Sequence, residues 1–324
     1  MAAAILDGTP NHVDEVATRL QSALKEPANM TQEDLLTFYK SPGLFTGLDG
    51  FEDEVERLPC DAAVIARTVQ GLLIQEGLIG AYGVSLPAER LAEKQLHSSV
   101  AVLARAMSLD SRPIISPRVP ERRVVGVCRH FATLFVAIMR QKGVPARARC
   151  GFANYFAARE HVDHWVGEYW NAIEGRWVLV DAQIDDRQCE LFRVTFDRLD
   201  VPRDRFLVAG DAWRACRNGA DPMTFGVAGT EMWGLVEVYG DLFQDLAALQ
   251  NIELLPWGWY GLATDKSGIG ETALIDRLAR ISSSADAQAL EELRNMIAED
   301  DRLRPPGEDA LKAIVSAERA AASN

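Results

Sequence analysis

Five cysteines stand at positions 60, 128, 150, 189 and 216, with no Cys-x-x-Cys pair. An odd count without pairing argues against a disulfide framework and leaves room for a thiol that does chemistry. Cys128 is the candidate. It lies in Val124-Val125-Gly126-Val127-Cys128-Arg129-His130, where a loop turns into an apolar helix expected from about 127 to 141. Unpaired amides and the dipole at a helix start favour an anion, so a cysteine there is expected to carry a lowered pKa and more thiolate, the nucleophilic form. The competing reading is a small buried core residue.

A thiol nucleophile needs a base, and a histidine base needs a group that fixes its tautomer. His164 opens an alternating segment, His164-Trp165-Val166-Gly167-Glu168-Tyr169-Trp170, and Asp181 closes another, Trp177-Val178-Leu179-Val180-Asp181. If the hairpin closes with Trp170 opposite Gly175, regular antiparallel pairing puts His164 directly opposite Asp181 on one side of the ribbon. A one-residue slip would send them to opposite faces. Cys128, His130, His161 and His164 also form a conceivable metal set, but their spacings are poor for zinc and no metal is assigned. His161 and Asp163 are expected in the loop before the strand. Asp185 and Asp186 read as solvated turn residues, with one of them as the alternative orienter.

The elements that must position these residues are legible in part. Val13, Val16, Leu20 and Leu24, and then Ala62 to Gln75, follow helical spacing, so residues 1–110 read as a helical scaffold. Pro113, Pro117 and Pro120 make 111–121 a connecting loop. The Cys128 helix is closed by Lys142-Gly143-Val144-Pro145. Strands are expected at Ala146 to Phe152, Asp163 to Trp170 and Arg176 to Ile184, with a turn at Asn171–Gly175. A helix followed by closely spaced strands indicates an α+β fold, because no crossover helices fit between them. All seven tryptophans lie between 165 and 259, so residues 185–270 are read as a segment covering one side of a cleft, with Trp233 and Trp257 in its wall. Residues 271–324 are helical, and their Leu290, Leu293 and Ile297 stripe is expected to meet the core or a second copy in a homodimer.

Composition excludes several classes. The 324 residues carry 34 Lys+Arg against 47 Asp+Glu, a formal charge of −13, which is the wrong sign for nucleic acid or anionic lipid. The longest apolar runs are about six residues, as at Leu134 to Met139, well short of a membrane span. The amino terminus has no basic segment before its short apolar stretch, so the expected location is cytoplasmic. No Walker-type or dinucleotide-type glycine pattern occurs, and no cofactor is expected.

Gly126-Val127-Cys128-Arg129-His130-Phe131-Ala132, Gly143-Val144-Pro145-Ala146-Arg147, His164-Trp165 with Glu168, and Trp177-Val178-Leu179-Val180-Asp181 together resemble the core of the transglutaminase-like superfamily of cysteine enzymes. Gly210-Asp211-Ala212-Trp213, Asp245 to Leu249 and Glu253 through Trp257 are similar to the tail of stand-alone bacterial members. The resemblance implies a papain-like core in which Cys128 opens a helix packed on an antiparallel sheet bearing His164 and Asp181. Two features depart from the pattern. Trp165 follows His164 immediately, where many members place a small residue. The upstream oxyanion donor, often a glutamine, is also unassigned, because no glutamine occurs between Gln95 and Cys128.

The expected activity is a Cys-His-Asp enzyme working on an amide or acyl group through a thioester, with Cys128 as nucleophile, His164 as base and Asp181 as orienter. Trp165 and Arg129 are expected to contact a small-molecule or peptide substrate. Hydrolysis is favoured over acyl transfer to an amine because it needs no second binding site. A catalytically silent binding module on the same fold is the reading from another class. The expected divisions are a scaffold at 1–110, a catalytic core at 111–270 that forms one domain with it, and a helical extension at 271–324.

Overall fold

The computed structural model describes residues 30–156 and 160–322. The helix expected around Val13–Leu24 lies outside them. The architecture is α+β. Helices Gln32–Lys40, Glu52–Glu56, Ala62–Leu72 and Ser99–Leu109 precede the Cys128–Gln141 helix. Thr31 starts the first with a capping box: its hydroxyl accepts from Asp34 N–H while Asp34 accepts from Thr31 N–H.

The segment read as helix from Ala62 to Gln75 ends at Leu72. Its last residues form β1 (Leu73–Gln75), which pairs in parallel with β2 (Val124–Gly126). This pairing carries an early piece of chain to the start of the Cys128 helix.

The main sheet contains β3 (Ala146–Ala153), β4 (His161–Asn171), β5 (Arg176–Val180) and β6 (Phe206–Val208) in the order β5-β4-β3-β6, with β7 (Phe225–Gly226) parallel to the start of β4. The β3, β4 and β5 pairings are antiparallel, as expected. The register differs by two. Trp170 faces Trp177 and Asn171 faces Arg176, so the turn holds residues 172–175. Asn171 Oδ1 accepts from Ile173 N–H, and Gly175 completes the turn at φ +64°. A two-residue shift keeps every side chain on its face. His164 and Asp181 therefore stay on one side while losing the directly opposite pairing.

The Cys128 helix packs on the β4 face that carries Trp165, Gly167 and Tyr169. A Cβ on Gly167 would lie 2.5 Å from Phe135 Cδ1, so glycine sets how closely helix and sheet approach. Phe131, Phe135, Ala148, Trp165 and Val180 form the core between them. Val166, Leu179, Phe206 and Val208 form a second core on the opposite face. The edge of β3 is covered by helix Leu235–Ala248, whose Asp245 accepts the Cys150 N–H at 3.0 Å.

The C-terminal helices Thr272–Ser284, Ala287–Glu299 and Glu308–Ala322 close the molecule. Leu290 and Leu293 are buried in the same core as Leu35 and Tyr39, and Ile297 packs against it, so the stripe faces inward. No helix among the described residues is long and apolar enough to cross a membrane.

Candidate active site

Cys128 is the first residue of its helix, and Val127 is the N-cap. The cap is completed by His130, which sits at the i+3 spacing a capping side chain needs. Its Nδ1 accepts from Val127 N–H at 3.1 Å, and its Nε2 lies 2.9 Å from Leu96 O. Burial, with Arg129 nearby, pushes the His130 pKa down to about 3, so the ring is neutral. With both nitrogens engaged, His130 is a structural cap.

β4 meets the thiol along its open side. Because Cys150 N–H points outward to Asp245, the Cys150–Trp165 pair lacks mutual hydrogen bonds, and Trp165 N–H points away from β3. β5 has ended at Val180 and β7 reaches only Val162, so that N–H is left for Cys128, whose thiolate it favours together with the Arg129 N–H. Burial and the Asp163 carboxylate outweigh both amides and raise the Cys128 pKa well above its ordinary value. The expected helix-start depression is thus reversed. The resting group is a neutral thiol that needs a base.

His164 stands one residue before Trp165, with its ring on the other face of the strand among Tyr155, Phe156 and Phe206. Its Nε2 lies 2.8 Å from Asp181 Oδ2, with both side chains buried. Tyr155 donates its hydroxyl to the same oxygen at 2.6 Å, while Asp181 Oδ1 accepts from the N–H groups of Gln183 (3.0 Å) and Ile184 (3.3 Å). Burial alone would raise the Asp181 pKa, but His164, Tyr155 and the Gln183 amide hold it below the ordinary value. An ionised Asp181 selects the tautomer with Nε2–H and leaves Nδ1 as the basic nitrogen. Asp185 accepts from Tyr82 OH and caps helix Asp186–Phe192, and Asp186 pairs with Arg198, so both are engaged away from His164. His161 belongs to β4 and stacks on Phe225 at 4.4 Å. Asp163 is likewise in the strand, two places along.

A cavity of about 610 Å³ opens on Cys128, walled by Gln75, Asp163, Met232, Trp257 and Trp259. Residues 116–182 match the transglutaminase-like superfamily. This segment belongs to that superfamily. Neither the curated proteins nor the solved structures give a match to the chain. The superfamily generally comprises cysteine enzymes, and the matched segment holds Cys128, His164 and Asp181.

Around the transglutaminase-like segment, several expectations change. Arg129 is turned inward: its guanidinium bonds to the carbonyls of His97 (2.5 Å) and Glu253 (3.1 Å) and lies over Phe45. Trp165 is 1% exposed and packs with Phe131 and Ala132. Both expected substrate contacts are therefore interior. Trp257, Val227, Ala228, Thr230 and Met232 do line the cavity, whereas Trp233 lies outside its wall, with its indole N–H on Thr230 O.

Sequence reading also missed Gln75. The parallel register Gln75–Gly126 brings it beside the Cys128 helix start, where its Oε1 accepts Gly77 N–H at 2.5 Å and its Nε2 is left as a donor at the cavity. No local signal marks it, because the partner strands are far apart in sequence.

Proposed function

We propose that the chain is a cysteine-dependent enzyme of papain-like type acting on an amide or other acyl carbonyl. The observation that carries this is the 2.8 Å pair between His164 on β4 and Asp181 just past β5, with His164 one residue from the Trp165 N–H that meets the Cys128 thiol at the cavity. Cys128 Sγ attacks the carbonyl carbon as its proton passes to His164 Nδ1. The tetrahedral oxyanion is held by the Cys128 amide and the Gln75 side-chain amide. It collapses as the bond to the leaving group breaks, and His164 returns the proton to that group, leaving a thioester on Cys128. Water, deprotonated by His164, then releases the acid and restores the thiol.

Hydrolysis needs no second substrate and is the first reading. Transfer to an amine is the second, favoured by the acidic wall of Asp163, Glu237 and Asp241, which suits a protonated amine.

The test is acylation by a panel of small acyl thioesters and peptide amides, with the adduct located by peptide mass. An adduct on Cys128 that forms about 10²–10⁴-fold more slowly in His164→Ala is expected for a general base. Labelling confined to the exposed Cys60 would overturn the enzyme reading and favour a binding module.

A further inference from the structure

Beside Cys128 lies a group of side chains that the acyl chemistry leaves unused. The Cys150 Sγ, a carboxylate oxygen of Asp163 and one of Asp241 lie within 4.8 Å of one another. They come from three elements: β3, β4 and helix Leu235–Ala248. Cys150 is fully buried and Asp241 is 7% exposed, yet among the described residues no N–H or hydroxyl group donates to Asp163 Oδ1 or Asp241 Oδ2, and the two acids meet only each other and the Cys150 thiol. Both acids line the cavity, so the site has an entry path.

A buried and a partly buried carboxylate beside a buried thiol call for a positive partner. The nearest cation along β3, Arg149, is bonded to Asp245 and Glu168. Glu237, one turn before Asp241, adds further negative charge on the cavity wall. Burial, with neighbouring acids, raises Cys150 and Asp241 well above their ordinary values, and burial raises Asp163 to about 6 even though the adjacent His164 opposes it. Without an ion, the acids can only share a proton.

We propose that Cys150, Asp163 and Asp241 bind one thiophilic divalent cation of the zinc type, entering through the cavity beside Cys128. One thiolate with two carboxylates suits zinc or cobalt(II), whereas magnesium and calcium prefer all-oxygen sets. Three protein ligands leave a coordination position on the cavity side. On binding, the Cys150 thiol proton and the proton shared by the carboxyl groups leave to solvent, so affinity rises with pH. The inference stands apart from the role given to Cys128.

The experiment titrates cobalt(II) into the full-length protein after chelator treatment. One equivalent bound per chain, a thiolate-to-cobalt absorption in the near ultraviolet and displacement by zinc are expected. Cys150→Ser abolishes that absorption, Asp241→Asn weakens binding by at least about tenfold, and Cys128→Ser leaves the spectrum unchanged. If either buried substitution prevents folding, the partly exposed Asp163→Asn carries the same expectation of weakened binding. No thiolate band in the wild-type protein, a band lost with Cys128→Ser or kept in Cys150→Ser, or unchanged affinity in the Asp variants overturns the site. Because the readout is spectroscopic, failure here leaves the acylation test untouched.

Discussion

Two charged clusters share the same elements and differ in how their charge is matched. Arg149 on β3 meets Asp245 at 2.9 and 2.8 Å, and Glu168 accepts from Arg147 at 2.6 Å and from Arg149 at 3.2 Å; Ser282 donates to Asp245 at 2.6 Å. One residue along β3 and one turn back on the helix, Cys150 and Asp241 face Asp163 with no cation. The first is fully buried, whereas in the second Asp163 is only partly buried at the cavity. In the first cluster every charge is matched, so it locks helix Leu235–Ala248 to the sheet. In the second the charge is unmatched, the groups resist ionisation, and the neighbouring thiol is held neutral. The strand thus carries matched charges at Arg147 and Arg149 and unmatched acids beside Cys150.

The largest expected effect lies in the matched cluster. Burial opposes ionisation of Glu168, but Arg147, Arg149 and Arg203 overcome it and hold its pKa far below the usual carboxylate range. Glu168→Ala leaves the buried Arg147 without a carboxylate and takes one of two carboxylates from Arg149, and urea unfolding is expected to show a loss of about 3–5 kcal/mol. Burial and the neighbouring acids keep Asp241 protonated, so Asp241→Asn in metal-free protein exchanges one neutral polar group for another of similar shape and is expected to leave stability within about 1 kcal/mol. Equal losses in the two variants would erase the distinction.

A smaller effect is expected at Tyr155, a positioning residue whose hydroxyl donates to Asp181. Tyr155→Phe keeps the ring against Phe156 and His164 and removes one donor to a charged acceptor, a bond worth about 1.5–3 kcal/mol. The Asp181 pKa then rises, the acid limb of Cys128 acylation moves to higher pH, and the maximal rate falls about tenfold with substrate half-saturation unchanged. A fall in stability with no movement of the acid limb would make Tyr155 a packing residue only.

How much of this was legible depended on how local each signal was. The Cys128–Gln141 helix and β3 to β5 follow from apolar periodicity, Gly143 and the turn residues, and those signals are contiguous. The two-residue register difference arose because Asn171 organises a turn ending at Gly175. β5 stops at Val180, short of the expected Ile184, because the Asp181 carboxylate draws in the amides of Gln183 and Ile184 and folds the chain around itself. The His130 cap was readable from its spacing to Val127. By contrast, Gln75 and the Cys150–Asp163–Asp241 group depend on tertiary pairings, and the inward turn of Arg129 depends on the distant Glu253 carbonyl. A helix-start position predicts a lowered thiol pKa only when nothing nearby opposes it, and Asp163 on the neighbouring strand does.

Asp163 therefore gives the finest test of the unmatched cluster. Burial, with Glu237 adding to it and His164 opposing, pushes its pKa up to about 6 from 3.8. Between these values the folded chain keeps a proton that the unfolded chain has lost, so this group makes stability fall as pH rises from about 4 to 6. Asp163→Asn is expected to remove that slope in urea unfolding measured across the window. Above about pH 6 the wild-type carboxylate is charged and opposes the Cys128 thiolate. Its removal should lower the thiol pKa and speed acylation by roughly threefold at pH 7.5. Below about pH 5 Asp163 is already neutral, and the two proteins should react at the same rate. Slower acylation of the variant at pH 7.5 would mean that the carboxylate assists Cys128, and the unmatched charge would then belong to the reaction itself.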